Sequence, residues 1–101
     1  MREDEFRSWM ETQGNIQKRP IGDAVSRCRR IETEMQISLD AEYTKDCGLS
    51  LLERLTYTKA DAAQGLPAPE GLRIVPGANI YNAVSSLRSA AKKYFEFCSC
   101  P

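Results

Sequence analysis

Histidine is absent from this chain of 101 residues, and with it the one side chain that ordinarily titrates near neutral pH. Proton transfer would need a perturbed carboxylate, lysine or cysteine, and a thiol nucleophile would lack its usual imidazole base. Carboxylate pairs such as Glu32 with Glu34 stand two apart, so on a helix they point in different directions. No catalytic set emerges, and the expectation is a protein that is not an enzyme. Also missing is any apolar run near the roughly 20 residues of a membrane-spanning helix. The opening MREDEFRSWM is charged where a secretion signal would be apolar. No membrane partner and a cytoplasmic location are therefore expected.

Net charge is lacking too, since 14 basic residues balance 14 acidic ones. The total does not indicate a strongly basic nucleic-acid binder, although a balanced chain can still gather its cations on one face. A phosphate loop is excluded, because Gly71 and Gly77 are too far apart and no Gly-Lys-Ser or Gly-Lys-Thr follows. Internal repeats and low-complexity segments are absent. Cysteines number four, Cys28, Cys47, Cys98 and Cys100. Cys28 falls in the apolar stripe of a predicted helix, so all are read as reduced thiols, two in the core and two near the chain end. Cys98 and Cys100 form a Cys-x-Cys pair, but without histidine or a close partner for the other two, zinc lacks ligands. Neither a metal nor a cofactor is expected.

What remains, 42% hydrophobic and 28% charged, is the composition of an ordinary globular protein. The length suits one domain over residues 1–101 with a single modest core. Phe6, Trp9 and Met10 share a face of a first helix over 3–13, with Glu3, Asp4 and Glu5 suited to its N-terminal dipole and Trp9 read as a core anchor. Gly14 and Asn15 should end it, leaving 15–19 as a polar connection. Pro20 then opens a second helix, whose apolar positions Ile21, Ala24, Val25, Cys28, Ile31 and Met35 keep helical spacing to about Leu39. Its outward side carries Arg27, Arg29 and Arg30, with Lys18 and Arg19 before them. Glu34 stands one turn beyond Arg30 and can pair with it, and such charge runs usually just face water.

Asp40 is expected to cap a short helix through Asp46, with Tyr43 directed inward and Gly48 closing it. Ser50 should cap the next helix, SLLERLTYTKADAAQG, with Glu53 in capping-box position and Leu51, Leu52 and Leu55 buried. Residues 65–77 hold Pro67, Pro69, Gly71, Pro76 and Gly77, a density that forbids a helix. Within that connection Leu72, Ile74 and Val75 are expected to pack an extended segment on the bundle. Asn79 then caps the longest helical pattern, NIYNAVSSLRSAAKKYFEFC. Ile80, Val84, Leu87, Ala91, Tyr94, Phe95 and Cys98 form its apolar stripe. The fold class is thus all-α, a small antiparallel bundle of four main helices and one short one, with the last helix against the first and second.

At 100 degrees per residue, Tyr81, Ser85, Arg88 and Lys92 stack along one flank of the last helix, with Ser89 and Lys93 further round. Hydroxyls and cations along a helix edge are groups that contact phosphate oxygens, and a tyrosine can pack on a sugar or base. The same lysines and arginines also complement the helix dipole and keep the surface soluble.

The order of elements resembles the SAM-like core-binding domain of tyrosine recombinases (phage integrases). The resemblance is carried by the opening Phe-x-x-Trp helix (Phe6, Trp9), the helix led in by polar and basic residues and the short Leu-rich helix. In the last helix, Val84, Leu87, Arg88, Tyr94, Phe95 and Phe97 stand where that family has Leu-x-x-Leu-Arg followed by an aromatic pair. Similar modules occur in the N-terminal parts of restriction-related and other DNA-processing proteins. The resemblance spans nearly the whole chain but rests mostly on core positions. It implies a non-catalytic module that contacts duplex DNA backbone and precedes a C-terminal catalytic domain or partner protein. By position it implicates Lys18, Arg19, Arg27 and Arg30 around the second helix, and Arg88 and Lys92 on the last. Three features depart from the family: there is no room for a catalytic domain, the net charge is zero, and the proline-rich connection is long. The alternative expectation is a protein-interaction or assembly module without nucleic-acid binding.

Overall fold

Local sequence accounts for most of the helix ends in the computed structural model, which describes residues 1–13, 18–74 and 79–99 and leaves out the side chains of 18 and 19. Helix α1 is Glu3–Glu11, with its three acidic residues in the first turn. The predicted stop at Gly14 and Asn15 lies outside the described residues. Helix α2, Lys18–Met35, starts ahead of Pro20 and places Lys18 and Arg19 in its first turn rather than in a connection. Proline fits there because a first-turn amide has no helical acceptor to lose. The helix stops at Met35, short of Leu39, because Gln36 turns left-handed with φ 55 and the Ile37 amide bonds back to the Glu32 carbonyl at 3.2 Å.

Helix α3 is Leu39–Asp46, and its cap is Ser38, not Asp40: the Ser38 hydroxyl accepts from the Ala41 amide. The expected helix from Ser50 to Gly65 is two helices, α4 at Leu49–Arg54 and α5 at Lys59–Ala63. One local cause removes the expected Ser50 cap, and another restarts the helix after α4. Asp46, at the end of α3, accepts hydrogen bonds from the Ser50 amide and hydroxyl, so Ser50 is spent on the α3–α4 junction instead of a capping box. Thr58 and Asp61 form the capping box instead, and it starts a fresh helix. Helix α6 is Ile80–Ser99, capped as expected by Asn79, whose side chain accepts from the Asn82 amide at 3.0 Å.

Among the described residues every regular element is helical, so the chain folds as a small helical bundle. Helix α6 touches all five others, α2 most extensively. Its stripe is buried at Val84, Leu87, Ala90, Ala91, Tyr94 and Phe95, while Ile80 and Cys98 pack at the core's edge. Phe6, Met10, Ile21, Val25, Cys28, Ile31, Leu51 and Leu55 meet that face from the other helices. Trp9 is only partly buried, flanked by Phe6 at 6.3 Å and Phe97 at 5.8 Å between ring centroids. Tyr43 stacks on Phe95 at 6.2 Å. Cys28 is a core thiol as expected, but Cys47 is exposed because it terminates α3 in the left-handed conformation with φ 60. Cys100 lies outside the described residues.

The connection after α5 docks on the bundle through buried Leu72 and half-buried Ile74, while the expected contact from Val75 lies outside the described residues. Arg73 fixes its path. The Glu34 carboxylate accepts from the Arg73 amide at 2.5 Å, and the Arg30 guanidinium donates to the Arg73 carbonyl at 2.7 Å. No helix among the described residues is long and apolar enough to cross a membrane.

Candidate nucleic-acid interface

The sides of α6 next to its core stripe border two recesses, each reaching one buried stripe residue, Ala90 or Val84. The larger, about 500 Å³, lies between α2 and α6 and is lined by Ala24 and Arg27 from α2 and by Ser85, Ser86, Ser89, Lys92, Lys93 and Glu96 from α6. The small residues Ala24, Ser85, Ser86, Ser89 and Ala90 leave the space between the helices' edges unfilled. The smaller, about 340 Å³, lies where α6 passes the α4–α5 junction. Leu55, Tyr57 and Val84, all buried, form its apolar floor, and Thr56, Thr58, Lys59, Tyr81, Ser85 and Arg88 its polar lining. Ser85 lines both recesses, so they adjoin at that residue.

The predicted site residues divide between these features. Arg27, Ser85 and Lys92, from two helices, converge on the larger recess. Tyr81, Ser85 and Arg88 line the smaller one. Arg30 does not join them, because its guanidinium is held by Glu34 and by the Arg73 carbonyl. Its charge serves the fold. Lys18 and Arg19 lie in the first turn of α2, and their side chains are outside the described residues.

Two cations escaped the sequence reading as site residues. Lys59 sits 5.8 Å from the centre of the Tyr81 ring, a place it reaches because the Thr58 capping box starts α5 there. That Thr-x-x-Asp pattern was the available signal, hidden by reading one continuous helix. Lys93 lines the larger recess, lies 5.8 Å from the Trp9 ring centre and pairs with Glu96 at 3.7 Å.

The electrostatics follow from this census. Together the recesses present Arg27, Lys59, Arg88, Lys92 and Lys93 against a single carboxylate, Glu96. Lys93 is its partner. Among the described residues, Arg27, Lys59, Arg88 and Lys92 form no ion pair, and Arg88 makes only a long 3.4 Å hydrogen bond to the Leu52 carbonyl. Arg88 and Lys92 are one turn apart, where like charges repel along a helix. Concentrated cations in a neutral molecule favour an anion at this flank.

No family model, curated protein or solved structure matches the chain.

Proposed function

We propose that this chain is a non-catalytic DNA-binding module that contacts the phosphate backbone through the basic flank of α6 and the facing edge of α2. The observation that carries this reading is the convergence of Arg27, Ser85 and Lys92, remote in sequence, on one open recess. Backbone contact of this kind needs cations and hydroxyls but no base-reading set, so it has modest affinity and little sequence preference. The resemblance to core-binding domains of tyrosine recombinases agrees with it. By the same resemblance, a C-terminal catalytic domain or a partner protein would supply any chemistry.

The test is binding of labelled duplex DNA across a salt series. Affinity falls steeply as salt rises, and Arg27→Ala, Arg88→Ala or Lys92→Ala each flatten the logarithmic slope by about one. Absence of binding at low salt, to duplex and to single-stranded DNA alike, would sink the reading.

A second reading, a protein-interaction module, draws on the fate of Arg30. With Arg30 committed to Glu34 and Arg73, the basic cluster of α2 is smaller than its sequence suggests. Leu49 at the start of α4 is meanwhile 62% exposed, an anchor of the kind protein partners use. This reading prevails if DNA fails to bind.

A further inference from the structure

From the adjoining recesses along α6 we infer that the preferred nucleic acid is a single strand, whose phosphates lie on Arg27, Lys92, Arg88 and Lys59 while one unpaired base enters the recess beside Tyr81. This inference rests on the DNA-binding reading above and narrows its substrate.

The smaller recess is the deciding feature. A site that held only the outside of a duplex would need cations and donors, since the duplex presents phosphate and sugar and keeps its base faces stacked inside. This recess adds apolar surface to such groups: buried Leu55, Tyr57 and Val84 form its floor beside the half-buried Tyr81 ring, while Thr56, Thr58, Ser85, Lys59 and Arg88 supply hydroxyls and cations. Tyr57 is locked by a hydrogen bond from its hydroxyl to the Leu66 carbonyl at 2.6 Å, so that part of the lining is preorganised. Its volume of about 340 Å³ falls in the range of small-ligand sites. A half-buried aromatic ring in a recess lined by hydroxyls and cations is complementary to a base attached to its phosphate, and aromatic stacking accepts any base. A paired base would first have to be flipped out of the helix at a cost in unstacking.

The larger recess continues the path. Arg88 and Lys92 are successive turns of one flank, Ser85 joins the two recesses, and Arg27 of α2 lines the larger one with Lys92. From Tyr81 to Lys92 the helix advances about 16 Å, the length of about five stacked nucleotides of one strand. A flexible strand can dip into both recesses along that path. A duplex, stiff over about 150 base pairs, would touch only their rims.

The experiment compares a fluorescein-labelled 12-nucleotide oligothymidylate with a 12-base-pair duplex at low salt by anisotropy, using the whole chain. The oligothymidylate binds about five-fold or more tighter, the effect of one stacked base. Tyr81→Ala weakens single-strand binding by about five-fold to a hundred-fold, more than it weakens duplex binding, and Tyr81→Phe recovers the loss. Equal or tighter duplex binding overturns the single-strand preference while leaving the DNA-binding reading intact; equal losses for both DNAs in Tyr81→Ala overturn the base pocket. If neither DNA binds, the single-strand preference and the DNA-binding reading fall together. Should Tyr81→Ala lose its helical circular dichroism, the comparison of the two DNAs on the unaltered chain still decides.

Discussion

Tyr94 of α6 donates its phenolic hydrogen bond to the Asp40 carboxylate at the start of α3, across 54 residues of sequence. The Tyr94 oxygen in turn accepts from the Arg2 amide at 3.0 Å, and the Arg2 guanidinium lies 3.5 Å from Asp40. One buried phenol therefore joins the chain's first residues, α3 and α6.

That arrangement makes stability depend on acid. Burial alone would raise the Asp40 pKa, but the Tyr94 hydrogen bond and the positive charges of the Met1 ammonium and Arg2 outweigh it and hold the carboxyl below its ordinary value. A depressed folded-state pKa contributes stability that is present above the unfolded value of about 3.9 and is lost as pH falls through the folded one. Tyr94→Phe is expected to cost about 1.5 to 3 kcal/mol at pH 7, as for hydrogen bonds to charged groups. Urea unfolding should show the gap narrowing below about pH 4. A gap that stays constant down to pH 3 would show that the phenol's partner is not an ionised Asp40.

Gly48 is the most crowded of the described glycines. Its φ is 83, and a methyl group there would sit 2.3 Å from the Phe95 ring. Gly48→Ala combines left-handed strain with overpacking, together about 2 to 4 kcal/mol. Gly65 provides the control: its φ is 68, but open space surrounds it, so Gly65→Ala should cost only about 1 to 2 kcal/mol. Urea midpoints of the two variants should differ in that order.

Arg30→Ala separates a structural cation from a binding one. It removes the Glu34 pair and the bond to the Arg73 carbonyl, and should cost about 1 kcal/mol. Limited proteolysis should then cut the 65–74 connection faster. The salt dependence of DNA binding should change less than in Arg27→Ala, and an equal change would return Arg30 to the interface.

Thiol reactivity should follow burial. Cys28 is fully buried and hydrogen-bonds to the Ala90 carbonyl at 3.3 Å, with its pKa pushed up to about 12, first by burial and then by the Glu32 charge. Cys98 is also raised, mainly by burial, although the Arg2 guanidinium opposes the shift. Iodoacetamide followed by peptide mass mapping should label exposed Cys47 first and Cys28 only after unfolding. Rapid labelling of Cys28 in the native protein would show that α2 and α6 separate easily.

Much of this was legible in the residues themselves. The buried stripe of α6 follows from the spacing of Ile80, Val84, Leu87, Ala91, Tyr94 and Phe95, because a helix assigns its faces by period alone. The Asn79 cap was equally local. The break between α4 and α5 was present in Thr58 and Asp61, but an unbroken stretch without proline or glycine concealed it. Ser50 looked like a cap, and only the return of Asp46 across the junction shows why it is not.

The sequence by itself determined which side of each helix is apolar and which residues of α6 share a flank, since both are set by bonds and periodicity within one segment. Tertiary structure alone decided that Tyr81 and Arg88 share a recess with Lys59 while Ser85 and Lys92 share one with Arg27. It also decided that Arg30 turns away to hold Arg73. The physical reason is that a cation's role depends on what lies within about 4 Å of it, and those neighbours come from segments dozens of residues away.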